Sequence, residues 1–401
     1  MRSLRGIGFF AVHLVLATVA LGAVWRRSHE LDAQRLPPPL QNEPFRVAPL
    51  YDDPRVVTDD QLLDVLYRLR PRLRGPQPKV NHVDHALRFW GLEAKFRDPE
   101  CLSGEEMRDL LLDHRRFAAA WGRDAQPLLV PLRNGVRVRT QEGLATASHV
   151  DHTLGCLAEV GVPLEHPILT ANGPSRVQAM LEQSLRDFSL NQLEYEWSTL
   201  AYTLYLAPTQ SWITSEGQRV SFDTLAERLM RQRLNEGVCM GNHRLHTLTM
   251  LLRVDEQSPR LSPEQRQRVV EHLQDATRRL IASQHTEGYW LGNWPEPPGA
   301  ASASDAVEDT IARRVLGTGH ALEWWALAPE EVHPPRETII RAGQWLVRTI
   351  QGMDDAQIKD NYTFLSHAGR ALALWRGRFP AELALQLPAP SSSANPSDGK
   401  S

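Results

Sequence analysis

The chain has 401 residues, is 42% apolar and 23% charged, and carries a formal net charge of −3. That composition belongs to an ordinary globular protein, long enough for one large domain or two modest ones. The charge and the lack of a basic stripe interleaved with aromatics exclude a nucleic-acid partner. The three cysteines Cys101, Cys156 and Cys239 are too scattered for a disulfide framework or a zinc ribbon.

The first element is "GIGFFAVHLVLATVALGAVW", residues 6–25, which has no formally charged residue and is flanked by Arg2, Arg5, Arg26 and Arg27. About 20 apolar residues match roughly 30 Å of hydrocarbon, and Trp25 suits an interface. Residues 1–27 therefore read as an uncleaved transmembrane anchor. A signal cleaved after Ala20-Leu21-Gly22 is the alternative. The expected product is a membrane-anchored chain with its main domain outside the cytoplasm. Residues 28–49, with "LPPPL", read as a proline-rich tether. Residues 388–401 read as a disordered tail. The folded domain is expected over 50–387.

Inside that domain an apolar helix repeatedly follows a histidine: His82, His149, His243, His320 and His367, at successive spacings of 67, 94, 77 and 47 residues. The spacing of 94 is twice 47, which predicts another helix midway, and "QLEYEWSTLAYTLYLAP" at 192–208 supplies it. A β-hairpin at 127–143 accounts for one longer spacing, and a Gly/Pro/Ala/Ser-rich insertion at 288–312 for another. Six amphipathic helices alternate with these, near 59–70, 104–121, 174–188, 221–234, 262–284 and 335–350. The pattern predicts an all-α fold, an (α/α)6 toroid of six helical hairpins with a small β-hairpin insertion, preceded by a transmembrane helix. An open helical solenoid is the other arrangement that stacks such hairpins. Asn81, Ser148, Asn242, Gly319 and Ser366 precede the marker histidines and are read as N-caps. Asp84 and Asp151 are read as capping-box partners.

In a closed toroid the inner helices run parallel, so their N-termini meet at one mouth. His82, His85, His149, His152, His243, His246, His320 and His367 would gather there with Glu323, Glu194 and Glu196. These are eight of the chain's 15 histidines, too many for helix joints alone. Helix dipoles and mutual repulsion favour neutral imidazoles, which act as general bases or metal ligands. The candidate catalytic residues are His243, His320, Glu323, His149 and His246. The candidate pocket comprises His82, His85, His152, His367, Cys239, Glu196, Trp197 and Trp324. Cys239, in "NEGVCMGNHRLH", stands just before a helix start, where a thiol pKa can fall. A divalent transition metal is the cofactor such a set would take, though sequence does not align a ligand set.

Near the end of one amphipathic helix, "ASQHTEGYW" carries Gln284, Gly288 and Trp290 in a Gln-x3-Gly-x-Trp pattern. This resembles the repeat motif of the terpenoid cyclase and prenyltransferase toroid superfamily, in which it is structural. The resemblance implies a toroid and an isoprenoid as one substrate class. No Asp-x-Asp-Asp acid and no prenyltransferase zinc pattern accompanies it, and "MDDAQ" does not fit. Other α/α toroids act on carbohydrates, so a saccharide is the second substrate class. An envelope protein using the toroid as a non-catalytic binding scaffold is the competing reading.

Overall fold

The computed structural model describes residues 12–26, 38–209, 211–292, 294–295 and 310–389. The chain is mostly helical, as expected of an all-α protein. Helix α1 covers 12–26, and no described helix is long and apolar enough to cross a membrane. The earlier part of the anchor sequence, the N-terminal stretch of the tether, most of the 288–312 insertion and the tail beyond 389 lie outside the described residues. Residues 39–47 are held rather than free. Gln41 and Phe45 donate backbone N–H groups to Tyr205 and Leu204, and Val47 is buried.

Among the described residues, outer and inner helices alternate along the domain, with α4 and α5 together forming one outer element and the short α14 and α16 lying outside the alternation. The run begins with α2 (Asp59–Arg68), α3 (Val80–Trp90), α4 (Gly104–Leu112) and α5 (His114–Trp121), the last two divided at Asp113. It continues with α6 (His152–Glu159), α7 (Val177–Asp187), α8 (Glu196–Tyr205), α9 (Phe222–Arg231) and α10 (Asn242–Asp255). It ends with α11 (Pro263–Ser283), α12 (Ile311–Leu327), α13 (Arg336–Gly352), α14 (Asp355–Asp360), α15 (Tyr362–Leu374) and α16 (Ala381–Ala384). The hairpin expected at 127–143 is β1 (Leu129–Leu132) with β2 (Gly135–Val138). Two further hairpins, β3 (Pro167–Thr170) with β4 (Gly173–Arg176) and β5 (Trp212–Ile213) with β6 (Arg219–Val220), were not anticipated. They are too short to show alternation.

Helices α3, α6, α8, α10, α12 and α15 pack each on the next, and α15 returns to α3, so the six close a ring. They are buried on nearly every side: all of α8, and all of α10 except Asp255. The outer helices bury one stripe only. In α9 it is Phe222, Leu225, Ala226 and Leu229, the i, i+3, i+4, i+7 face of an amphipathic helix. Capping boxes start α2 (Thr58 with Gln61) and α4 (Ser103 with Glu106). Helix α2 packs on both α13 and α15, joining the beginning of the domain to its end.

The inner helices begin elsewhere than the sequence suggested. Their N-caps are Lys79, Asp151, Tyr195, Gly241, Thr310 and Asn361, so Asn81, Ser148, Asn242, Gly319 and Ser366 cap nothing. His320 is the tenth residue of α12 and His367 the sixth of α15. Gly319 serves close packing instead. A Cβ there would meet the Ala368 backbone nitrogen at 2.9 Å, which holds α12 against α15. The Gln-x3-Gly-x-Trp stretch is an interhelix joint. Gln284 donates to the carbonyls of Gly288 and Thr338, Gly288 takes φ 109°, and the Trp290 indole donates to Leu280.

Candidate functional site

Each inner helix sends one aromatic side chain to the centre of the ring. The six form a closed circuit: His85 on α3, His152 on α6, Trp197 on α8, His243 on α10, His320 on α12 and His367 on α15. Successive ring centroids lie 4.7 Å (His85–His152), 4.3 Å (His152–Trp197) and 4.7 Å (Trp197–His243) apart. The circuit closes at 4.9 Å (His243–His320), 3.7 Å (His320–His367) and 5.3 Å (His367–His85). Helix α8 carries no histidine, and Trp197 takes the sixth place.

Burial pulls the pKa of all five imidazoles below the ordinary value, His367 to about 3 despite its bond to Glu323. Neighbouring acceptors assign the tautomers. Nδ1–H of His85 donates to Asn81 O (2.7 Å), that of His320 to Leu316 O (2.7 Å) and that of His367 to Glu323 (2.7 Å). Nε2 of His320 is left as a lone pair, 3.3 Å from Nε2 of His243. Nε2 of His367 is buried without a partner.

One helical turn further along, the same helices supply charge. Residues three apart share a helix face, so His85 is followed by Arg88, His243 by His246, His320 by Glu323 and His367 by Arg370. In α6 the i+3 position is Gly155, because a Cβ there would meet the Trp197 ring at 2.9 Å. Its carboxylate comes from Glu159, a full two turns after His152. Arg88 bonds Glu159 at 2.5 Å and Glu323 at 2.7 Å. Arg370 bonds Glu159 at 3.1 Å and also pairs with Glu323. His246 donates Nε2–H to Glu159 (3.0 Å). Burial alone would raise the two carboxyls. Arg88 and Arg370 outweigh it, with His367 adding to the effect at Glu323, and hold both well below the usual carboxylate range.

The structure therefore divides the predicted site. His85, His152, His243, His320, His367 and Trp197 meet in the circuit. His246 and Glu323 belong to the ion network beneath it, where Glu323 is committed to two guanidinium groups and to His367. Glu196 lies apart, bonded to Arg244 (2.7 Å) and to its own helix start at Tyr195 N–H (2.8 Å). His82 faces Tyr362 at 5.8 Å, and Trp324 packs against Trp325 in the core. His149 pairs with Glu194 at 3.2 Å, each side chain 27% exposed, with its ring 6.1 Å from His152.

Neither Asp84 nor Asp151 makes a capping-box bond, although Asp151 stands at the N-cap position of α6. Asp84 accepts from Thr153 (2.9 Å) and lies 3.2 Å from His152 Nδ1, and burial pushes its carboxyl up to about 7. Asp151 accepts from Ser184 at 2.7 Å and from Ser198 at 2.5 Å.

Arg88, Arg370 and Glu159 escaped the sequence reading. The signal was present as His-x-x-Arg in "HALR" and "HAGR", matching the spacing of His-x-x-His and of His320 to Glu323.

Cys239 approaches the circuit through a strained turn. Cys239, Met240 and Gly241 have φ of 49°, 57° and 77°. The two non-glycine residues each cost on the order of 1–2 kcal/mol in that conformation. The thiol and one ring nitrogen from each of His243 and His320 lie within 4.8 Å of one another. The expected low thiol pKa is not found, because burial and the carboxylates of Glu196 and Glu323 push it up to about 12.

Beside the inner-helix starts is a cavity of about 490 Å³ lined by Lys79, Asn81, His82, Gln141, Ser148 and Asp360, among others. No known sequence family, curated protein or solved structure matches this chain.

Proposed function

We propose that the chain is an (α/α)6 toroid, akin in architecture to the terpenoid cyclase and prenyltransferase superfamily, and that it is an enzyme acting at its histidine circuit. Residues 6–25 tether it to a membrane, with the domain outside the cytoplasm. The observation that carries the enzymatic reading is the circuit itself. Five neutral imidazoles are gathered where a core would place Leu or Phe, and the lone pair of His320 and the unpartnered Nε2 of His367 take no part in helix packing. Neutral imidazole is the form that accepts a proton or binds a metal.

The polar cavity at the helix starts favours a polyhydroxylated substrate, a saccharide, over an isoprenoid. Lys79, Asn81, Gln141, Ser148 and Asp360 offer hydrogen bonds to hydroxyl groups and little to a hydrocarbon chain. His149, half-buried and oriented by Glu194, is the solvent-facing base. Glu323, kept ionised by arginines, is not a proton donor.

The test is turnover by the full-length chain against a panel of oligosaccharides and prenyl diphosphates, with His149→Gln and His367→Gln as variants. The reading expects saccharide turnover that both variants remove while the fold persists. Absence of turnover, with both variants lowering thermal stability and nothing else, would return the circuit to a structural role and favour the scaffold reading.

A further inference from the structure

The geometry points to a transition-metal centre, of the zinc class, held by Cys239 Sγ, His243 Nε2 and His320 Nε2, with a fourth position left open. The inference concerns this one sector of the circuit and does not depend on the substrate.

Two imidazole nitrogens bound to one tetrahedral zinc at roughly 2.0–2.1 Å must lie about 3.3 Å apart. Nε2 of His243 and Nε2 of His320 are 3.3 Å apart. The rings meet at 89°, edge to face, so the two nitrogens come together without the rings stacking. The remaining nitrogen of His320 is anchored on Leu316 O at 2.7 Å. Such a bond fixes the tautomer and ring orientation of a metal-binding histidine. In the metal-free state the His243 Nε2–H donates to His320. On binding, His243 takes the Nδ1–H tautomer and the thiol gives up its proton. The imidazole proton only changes nitrogen, so one Zn²⁺ enters and one proton, that of the thiol, is released to solvent, with no change of oxidation state.

Cys239 supplies the third donor. A zinc-bound sulfur lies about 3.5 Å from each imidazole nitrogen in tetrahedral geometry. The thiol is already within 4.8 Å, so binding draws it in by roughly an ångström. The donor set of one thiolate and two imidazoles is soft enough for zinc and unsuited to magnesium or calcium. Beside this pair stands His367, whose ring lies 3.7 Å from His320 and 5.2 Å from His243, and whose buried Nε2 has no partner. That nitrogen is placed to accept a hydrogen bond from a metal-bound water. Three protein ligands and an open position are the pattern of catalytic rather than structural zinc.

The experiment uses the untagged full-length chain, purified without chelators, loaded with Zn²⁺ or Co²⁺, dialysed and assayed by elemental mass spectrometry. The expected result is one retained metal per chain. The Co²⁺ form should show tetrahedral d–d absorption and a thiolate-to-cobalt charge-transfer band. Cys239→Ser should remove that band and weaken zinc by more than the 10–100-fold typical of losing an outer hydrogen-bond partner. A wild-type chain with native circular dichroism that retains no metal overturns the proposal. So does metal retained without a thiolate band and indifferent to Cys239→Ser. Zinc bound by a chain that turns over no saccharide leaves the centre standing and removes only the enzymatic reading.

Discussion

The histidine circuit and the ion network share helices α3, α6, α10, α12 and α15 and lie one turn apart on all of these but α6, yet they differ in their electrostatics. The network holds two arginines and two glutamates whose charges cancel and whose atoms satisfy one another. The circuit holds five neutral rings with nitrogen lone pairs to spare. A buried ion pair that is complete contributes little and cannot easily be rearranged, whereas removing one partner leaves an uncompensated charge. A ring of neutral imidazoles has the opposite character: loss of a member leaves no uncompensated charge, and on the proposed reading its lone pairs are what a metal or a substrate would engage. On the proposed reading, the depth of one helical turn separates a structural layer from a chemical one.

Acid should expose the difference most strongly. The five circuit histidines have lowered pKa values in the fold, so their contribution is complete above the unfolded value near 6.5 and is lost as pH falls below it. Asp84 works in the other direction. Its folded value is raised to about 7, so its contribution is greatest at low pH and is lost as pH rises through 7. Five protons taken up by the circuit on unfolding and one released by Asp84 account for about 6 kcal/mol of stability lost between roughly pH 6.5 and 5, and His82 and His333, both lowered to about 4 by burial, add to the loss in the same direction. The network glutamates, with lowered values, contribute nothing to this window and lose stability only below about 4.5. Urea unfolding followed across this range measures the slope, and a flat profile would contradict the assigned neutrality.

Breaking the network should come next. Arg88→Met leaves Glu159 and Glu323 sharing only Arg370 and the histidines, and should cost about 3–5 kcal/mol. His85→Gln, in the circuit above it, should cost less in the same denaturation assay. If the two variants are equally damaging, the division into layers fails. Gly319→Val tests the seam between α12 and α15. Its side chain would collide with the Ala368 backbone, and overpacking of this kind should cost about 1–3 kcal/mol, read as a lowered Tm. The smallest stability change, within about 0.5 kcal/mol, is expected for His149→Gln at the half-exposed rim, although turnover should be lost.

Much of the helical pattern was legible from spacing. The marker histidines and the 47-residue interval located all six inner helices, including α8, which has no histidine. Amphipathic stripes located the outer ones. Helix starts were not legible. Asn, Ser and Gly before a histidine look like caps, but Gly319 is a contact glycine inside α12, and Ser366 is inside α15 with its hydroxyl bonded to Thr363 O. The convergence of His85, His152, His243, His320 and His367 followed from the repeat. Their sorting from His82, Glu196 and Trp324 did not, because a shift of one residue around a helix turns a side chain by about 100°. Arg88 and Arg370 form a second repeat offset by three from the histidines, and a single charge in an apolar helix does not reveal it until the helices are aligned.

The most direct test of the account is the state of the buried imidazoles, read from ring-nitrogen NMR of histidine-labelled protein between pH 8 and the onset of unfolding. The account predicts that the five circuit histidines stay neutral throughout, with His85, His320 and His367 protonated at Nδ1 alone. Titration of any of the five near the ordinary value of about 6.5 while the protein remains folded would contradict it.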